Sequence, residues 1–196
     1  MKKIFLAFLV TVFTASSCTV LEQVSQVQTL SKCDFELHSA NQFEIAGITM
    51  DDKKDWSDFT FQETLRLTMM LTKNEIPASI RVNLKATNPN GSVAGMNKLE
   101  WKMLIDEQEM TGGLLNESFT IPANGGTTMI PVDVSFDLRK MFSGESSKAL
   151  MNLIANLTGS GGQTSNLAMK LSPSIRVGDR LLQYPGYITV RHQVGK

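Results

Sequence analysis

The side chains with the chemistry to act as a base, nucleophile or metal ligand are few and scattered in this 196-residue chain. His38 and His192, its two imidazoles, lie far apart in sequence. Neither sits in an H-E-x-x-H or C-x-x-C setting that would aim two ligands at one ion, so both read as solvated strand residues. Serines are plentiful, but no G-x-S-x-G elbow lifts one of them as a nucleophile. Gly159-Ser160-Gly161-Gly162 has the glycines of a phosphate loop without its lysine, and it follows a helical stretch rather than a strand. It reads as a connection. The carboxylate pairs Asp51-Asp52 and Asp106-Glu107 lie beside turns and lack the alternating oxygen ligands of a calcium loop, so they read as solvated charge. Asn116 and Asn156 head sequons that matter only in a eukaryotic secretory pathway. The eleven methionines, densest at Met69-Met70, read as core filler. The expectation is a chain that is not an enzyme, with no catalytic residue, no metal site and no cofactor.

The two cysteines carry more. Residues 1–17 open with Lys2-Lys3, continue through the apolar run Ile4–Phe13 and end in Ala15-Ser16-Ser17. As a helix that run reaches only about 15 Å, half the roughly 30 Å of bilayer hydrocarbon, so it is a secretory signal rather than a span. Ala15-Ser16-Ser17-Cys18 resembles the lipobox of a bacterial lipoprotein, with Ala15 standing where leucine is common. The resemblance implies cleavage before Cys18 and acylation of that residue. Several acyl chains would then hold the protein at a membrane, where one chain alone is marginal. Cleavage also removes Lys2 and Lys3, leaving two more acids than bases in the mature chain. Lipid rather than a basic patch must supply the attachment, and a nucleic-acid partner is not expected. No acidic run follows Cys18, which favours a periplasm-facing anchor at the outer membrane over surface export. Cys33 alternates with Phe35 and Leu37, and reads as a buried strand thiol.

Composition sets what must position these residues. Hydrophobic residues at 42% and charged residues at 19% exclude disorder and allow a real core. Residues 18–32, rich in Gln, Ser and Val, read as a tether, and residues 33–196 as one domain. Period-two alternation predicts strands at Cys33–Leu37 and Phe43–Gly47, with a turn or bulge at Ser39–Gln42. Further strands are expected over Ser79–Thr87, Leu99–Ile105, Met110–Ile121, Thr127–Phe136, Leu167–Val177 and Leu181–Val194. In two of them Ile80, Val82, Leu84, Ala86 and Ile130, Val132, Val134, Phe136 form the core faces, and Pro131 marks an edge or a bulge. Between the strands, helical spacing puts Phe61, Leu65 and Met69 on one face of a helix within Ser57–Lys73, with Thr60–Glu63 as its capping box. A second helix is expected over Ser146–Leu157. The whole reads as a mainly β immunoglobulin/fibronectin-III-like sandwich with one or two helical insertions.

One stretch carries a family pattern. Val82–Thr87 alternates and runs into Asn88-Pro89-Asn90-Gly91, and a strand bearing Leu99 and Trp101 follows. Gly112-Gly113 comes after the next hairpin, and Ile121-Pro122-Ala123-Asn124-Gly125 leads into Thr127–Phe136. These four elements over residues 80–138 resemble the group-2 late embryogenesis abundant proteins, with their water-stress and hypersensitive-response (WHy) domain. The resemblance implies the same sandwich and a stress-protective, desiccation-related role, with no catalytic residue to carry over. Asn88, Pro89, Asn90 and Gly91 have a structural role on this reading, with Asx-type bonds and a fixed φ turning the chain out of its strand. Two other functions stay open. One is an envelope adaptor for a protein partner, which needs an exposed apolar patch. The other is an apolar-ligand carrier, which needs a cavity of several hundred Å3 between a sheet and the Met69-bearing helix.

Overall fold

A computed structural model describes residues 29–53, 55–142, 144–157 and 164–194. The signal segment and Cys18 lie outside the described residues, as does Gly159–Gly162.

Alternation of apolar and polar residues puts one face of each long strand inside, and the described residues form eleven strands. β1 (Asp34–Ile45), β2 (Ile48–Thr49), β3 (Pro77–Asn88) and β8 (Gly126–Asp137) form the first sheet, in the order β2-β1-β3-β8. β5 (Lys98–Ile105), β6 (Gln108–Leu115), β9 (Ser165–Val177), β10 (Arg180–Gln183) and β11 (Ile188–Val194) form the second, where β9 pairs with β5, β10 and β11. β4 (Ala94–Met96) and β7 (Phe119–Ile121) make a small ribbon. All pairings are antiparallel. The two sheets face each other as a β-sandwich, the expected class. Among the described residues three α-helices are inserted between strands: α1 (Phe61–Leu71), α2 (Leu138–Met141) and α3 (Gly144–Leu157).

Register gives the sandwich two distinct ends. At one, Asp34 pairs with Thr87 and Asn88 with Gly126. At the other, Ile45 pairs with Ala78, Pro77 with Asp137, and Ile105 with Leu167. The chain enters at the first end, the turn end, where Thr29 and Leu30 are buried and Cys33 joins the core. The packed domain thus begins ahead of Cys33, within the segment read as tether. All three helices cluster at the opposite, helix end.

Several expectations are refined. β1 runs through Ser39–Gln42 rather than breaking there. It absorbs the extra residues as register shifts at Leu37/Ser39 and Asn41/Glu44, with Gln42 at φ 53°. Met110–Ile121 is two strands, β6 and β7, because Asn116–Ser118 leaves the sheet to pair β7 with β4. Pro131 sits on β8, an edge strand with unbroken register to β3, so it marks an edge and not a bulge. The turn before β8 uses left-handed backbone at Asn124 and Gly125, and a Cβ on Gly126 would lie 2.6 Å from the Pro122 carbonyl.

Candidate functional site

At the helix end the two sheets do not close on each other. A cavity of about 570 Å3 lies between them, and every described residue that lines it is apolar. β1 contributes Phe43, β3 Ile80, β5 Met103 and β9 Met169, while Met141 of α2 and Leu153 of α3 cover the top. α2 starts from Asp137, whose Oδ1 accepts the Arg139 N–H at 3.0 Å and the Ile76 N–H at 2.9 Å. Those amides hold the Asp137 carboxyl below its ordinary range. The Arg139 guanidinium donates to the Leu71 carbonyl at 2.9 Å, tying α2 to the end of α1.

α3 rests on the cavity through Ala149, Leu150 and Leu153, packed with Ile105 and Met141. One polar group latches it. Asn152 Nδ2 donates to Ser165 Oγ at 2.9 Å and, at 3.3 Å, to Asp106 Oδ2. Asp106 Oδ1 in turn accepts the Asn166 N–H at 2.7 Å. Asp106 and Glu107 adopt left-handed φ of 48° and 66° in the β5–β6 turn. Asp106 is therefore a structural clamp rather than solvated charge. Asp51 is exposed, as expected, and its carboxylate also accepts the Gln42 and Phe43 N–H groups at 2.8 and 3.0 Å, holding the bulge that carries Phe43.

The cavity communicates with the surface. Of its lining residues Ala40 and Phe142 are exposed, Phe142 at 49%. A second apolar hollow of about 370 Å3 runs beneath α1, lined by Leu67, Met70 and Ile76 among others, and shares Ile45 with the cavity.

α1 forms with its capping box intact: Glu63 N–H donates to Thr60 Oγ1 at 3.2 Å and Thr60 N–H to Glu63 at 2.7 Å. Its orientation corrects the sequence reading. Phe61, Leu65 and Met69, expected to pack inward, are 83%, 48% and 51% exposed, while the half-buried Leu67 and Met70 line the hollow. The helix carries apolar residues on two sides, so periodicity could not choose between them. The space that the carrier reading places between a sheet and the Met69-bearing helix is present as the hollow of about 370 Å3 beneath α1, and the larger cavity is covered by α2 and α3 instead.

Asn88 dominates the turn end. It is fully buried, and its Nδ2 donates to the carbonyls of Ser92 (2.9 Å) and Ile121 (3.1 Å). Its Oδ1 accepts from the Asn90 backbone N–H (3.0 Å) and from Asn90 Nδ2 (2.9 Å), and Asn90 Nδ2 also reaches the Thr29 carbonyl at 3.2 Å. Neither Asn90 nor Gly91 takes a positive φ, so the side chain of Asn88 organises this turn without left-handed backbone. Cys33 nearby donates from Sγ to the Thr29 carbonyl at 3.4 Å, and burial, reinforced by the Asp34 charge, pushes its thiol up to about 11.

His38 and His192 are both exposed on strands, and neither is among the residues that line the cavity. Among the described residues no cluster of three or more His, Cys, Asp or Glu is placed to hold a metal ion, and no helix is long and apolar enough to cross a membrane. The cavity was missed from sequence because its walls are the same alternating apolar residues that elsewhere fill a core.

No family model matches the chain, and no curated protein does. Solved structures are similar at low identity. A crystal structure of a protein from Archaeoglobus fulgidus gives a TM-score of 0.39 at 11% identity, covering 64% of this chain and 89% of that one. The solution structure of an Arabidopsis thaliana protein gives 0.40 at 9%, covering 83% and 78%. The solution structure of a putative late embryogenesis abundant (LEA) protein gives 0.35 at 8%, covering 94% and 82%.

Proposed function

We propose that this chain is a non-catalytic cell-envelope β-sandwich, tethered to a membrane by lipid on Cys18, that takes up an apolar ligand at its helix end. The observation that carries this is the cavity of about 570 Å3 with no polar residue among the described residues that line it. Its size falls within the range of small-molecule pockets. Water is a poor occupant, because it would find no polar partner there. A ligand that covers these apolar walls removes them from water, at about 25 cal/mol per Å2 of apolar surface buried.

The test uses the full-length chain carrying Cys18→Ser, which keeps every described residue and loses the acylation site. Titrated with the solvent-sensitive dye Nile red, it should show saturable, blue-shifted emission. Ala168→Phe, which fills the cavity from β9, should abolish the emission while the circular dichroism spectrum and melting temperature hold. Failure of the parent to bind, or equal binding by the filled variant, would sink the reading.

Desiccation protection, implied by the family resemblance, makes no use of a cavity. Drying a labile enzyme with the parent and with Ala168→Phe separates the two: equal protection by both assigns that role to the sandwich as such. The adaptor reading is favoured by the outward Phe61, Leu65 and Met69. A photocrosslinker at Leu65 should then capture a protein in cells that one at Gln62 does not, and Phe61→Asp should abolish the capture.

A further inference from the structure

We infer that the ligand is a single-chain amphiphile, its hydrocarbon tail filling the cavity and its polar head left in water at the rim beside Ala40. This rests on the proposed uptake of an apolar ligand and adds its chemical class and orientation.

Three observations carry it. First, the described lining side chains offer no donor or acceptor, so what they enclose is best hydrocarbon, since enclosing an unpaired polar head costs several kcal/mol. Second, the space is bounded. At roughly 30 Å3 for a water-sized group, which a methylene approximates, about 570 Å3 takes fewer than about twenty such groups. That is one chain, and not the two of a bilayer phospholipid. Each buried methylene contributes about 0.8 kcal/mol, so one chain suffices for tight binding. Third, the cavity is not sealed. Ala40 and Phe142 are lining residues that reach the surface, so a molecule can be buried at one end and wet at the other.

The walls suit a flexible chain. Met103, Met141 and Met169 are unbranched and adjust to an occupant without a fixed shape. The rim at Ala40 does not select the head by charge: on β1, Ala40 stands between Ser39, Asn41 and Gln42, polar and uncharged. Asn41 is paired in register with Arg81, whose guanidinium is committed to Asp133 at 2.6 and 2.9 Å. A fatty acid and a lysophospholipid should therefore bind alike.

The experiment is displacement of Nile red from the full-length Cys18→Ser chain. Palmitate and lysophosphatidylcholine should each displace the dye, with affinities within about threefold, whereas a two-chain phosphatidylcholine and a sterol should not. Spin-labelled fatty acids fix the orientation: a nitroxide near the methyl end should be immobilised and shielded from a water-soluble nickel relaxant, and one beside the carboxyl should stay accessible. Placing charge at the rim sharpens this. Measured against lysophosphatidylcholine on the same variant, Ala40→Glu should weaken palmitate severalfold and Ala40→Lys should tighten it. If the dye binds but single chains fail to displace it, or the carboxyl-end label is the shielded one, this inference falls and the uptake of some apolar ligand stands. If the dye itself does not bind, both fall.

Discussion

At the turn end of the sandwich Leu84, Leu99, Ile121 and Ile130 expose no surface, and Asn88 satisfies the backbone of three segments from one buried amide. At the helix end the same two sheets leave about 570 Å3 between Ile80, Met103, Met169 and the helices that cover them. Both ends are written in the same alternation of apolar and polar residues. What separates them is the cover: β4, β7 and the incoming Thr29–Cys33 segment close the first end, while two short helices span the second. Close packing resists change by even a methylene, so the turn end reads as scaffold and the helix end as the part free to accept something.

Cutting side chains at the two ends tests this most forcefully. Leu99→Ala removes a fully enclosed side chain and should cost about 3–5 kcal/mol, read from urea unfolding. Leu153→Ala trims a residue already facing open space and should cost less than about 2 kcal/mol, because no comparable contact set is lost. Equal costs would erase the distinction. A polar version of the same contrast follows. Asn88→Ala strands the buried carbonyls of Ser92 and Ile121, at about 2–3 kcal/mol. Asn152→Ala, which releases the half-buried α3 latch, should cost about 1 kcal/mol and speed the exchange of Nile red.

Thiol access compares the two ends without unfolding either. Cys33, buried and with its thiol pushed up to about 11 from 9.0, holds its proton at pH 8. The sign follows from the raised value: the stability this neutral thiol contributes is complete below pH 9 and is lost as pH rises through the folded value. In the Cys18→Ser chain a thiol reagent at pH 8 should leave Cys33 untouched until urea unfolds the domain. A cysteine placed at Ala168, on the cavity wall, should react at least tenfold faster, and a cavity-filling chain should slow it. Equal rates would mean that the helix end is as closed as the turn end.

How much of this was legible beforehand follows the same division. The core faces of β3 and β8, the α1 capping box and the Asn88–Gly91 and Pro122–Gly126 turns are local patterns, each readable within a dozen residues. The cavity is not local. It is a property of how far two sheets stay apart, and Ile80 and Met103 look alike in sequence whether or not they touch. Phe61, Leu65 and Met69 failed as an inward face because α1 also carries Leu67 and Met70, and only tertiary position decides which stripe meets the sheet. Asp106 passed for solvated charge because its partner is a backbone amide 60 residues away. The outer segment with Cys18 stays an expectation from its lipobox.

The smallest expected effect concerns the corner that covers the cavity. Asp137 caps α2 and accepts the Ile76 and Arg139 amides, and those bonds hold its carboxyl below the ordinary 3.8. A lowered folded value means the stabilisation is present above pH 4 and disappears as pH falls through the folded value. Asp137→Asn keeps an acceptor oxygen and loses the charge that the amides and Lys140 favour. Its urea midpoint should lie slightly below the parent's at pH 7, and the gap should close on acidification. Glu36, Glu63 and Asp133 are also held low by their partners, so the parent alone would lose stability in acid for several reasons. The difference between parent and variant isolates Asp137. A constant gap at all pH values would show that its charge does not matter, and would leave the α2 corner resting on Met141 and its apolar neighbours alone.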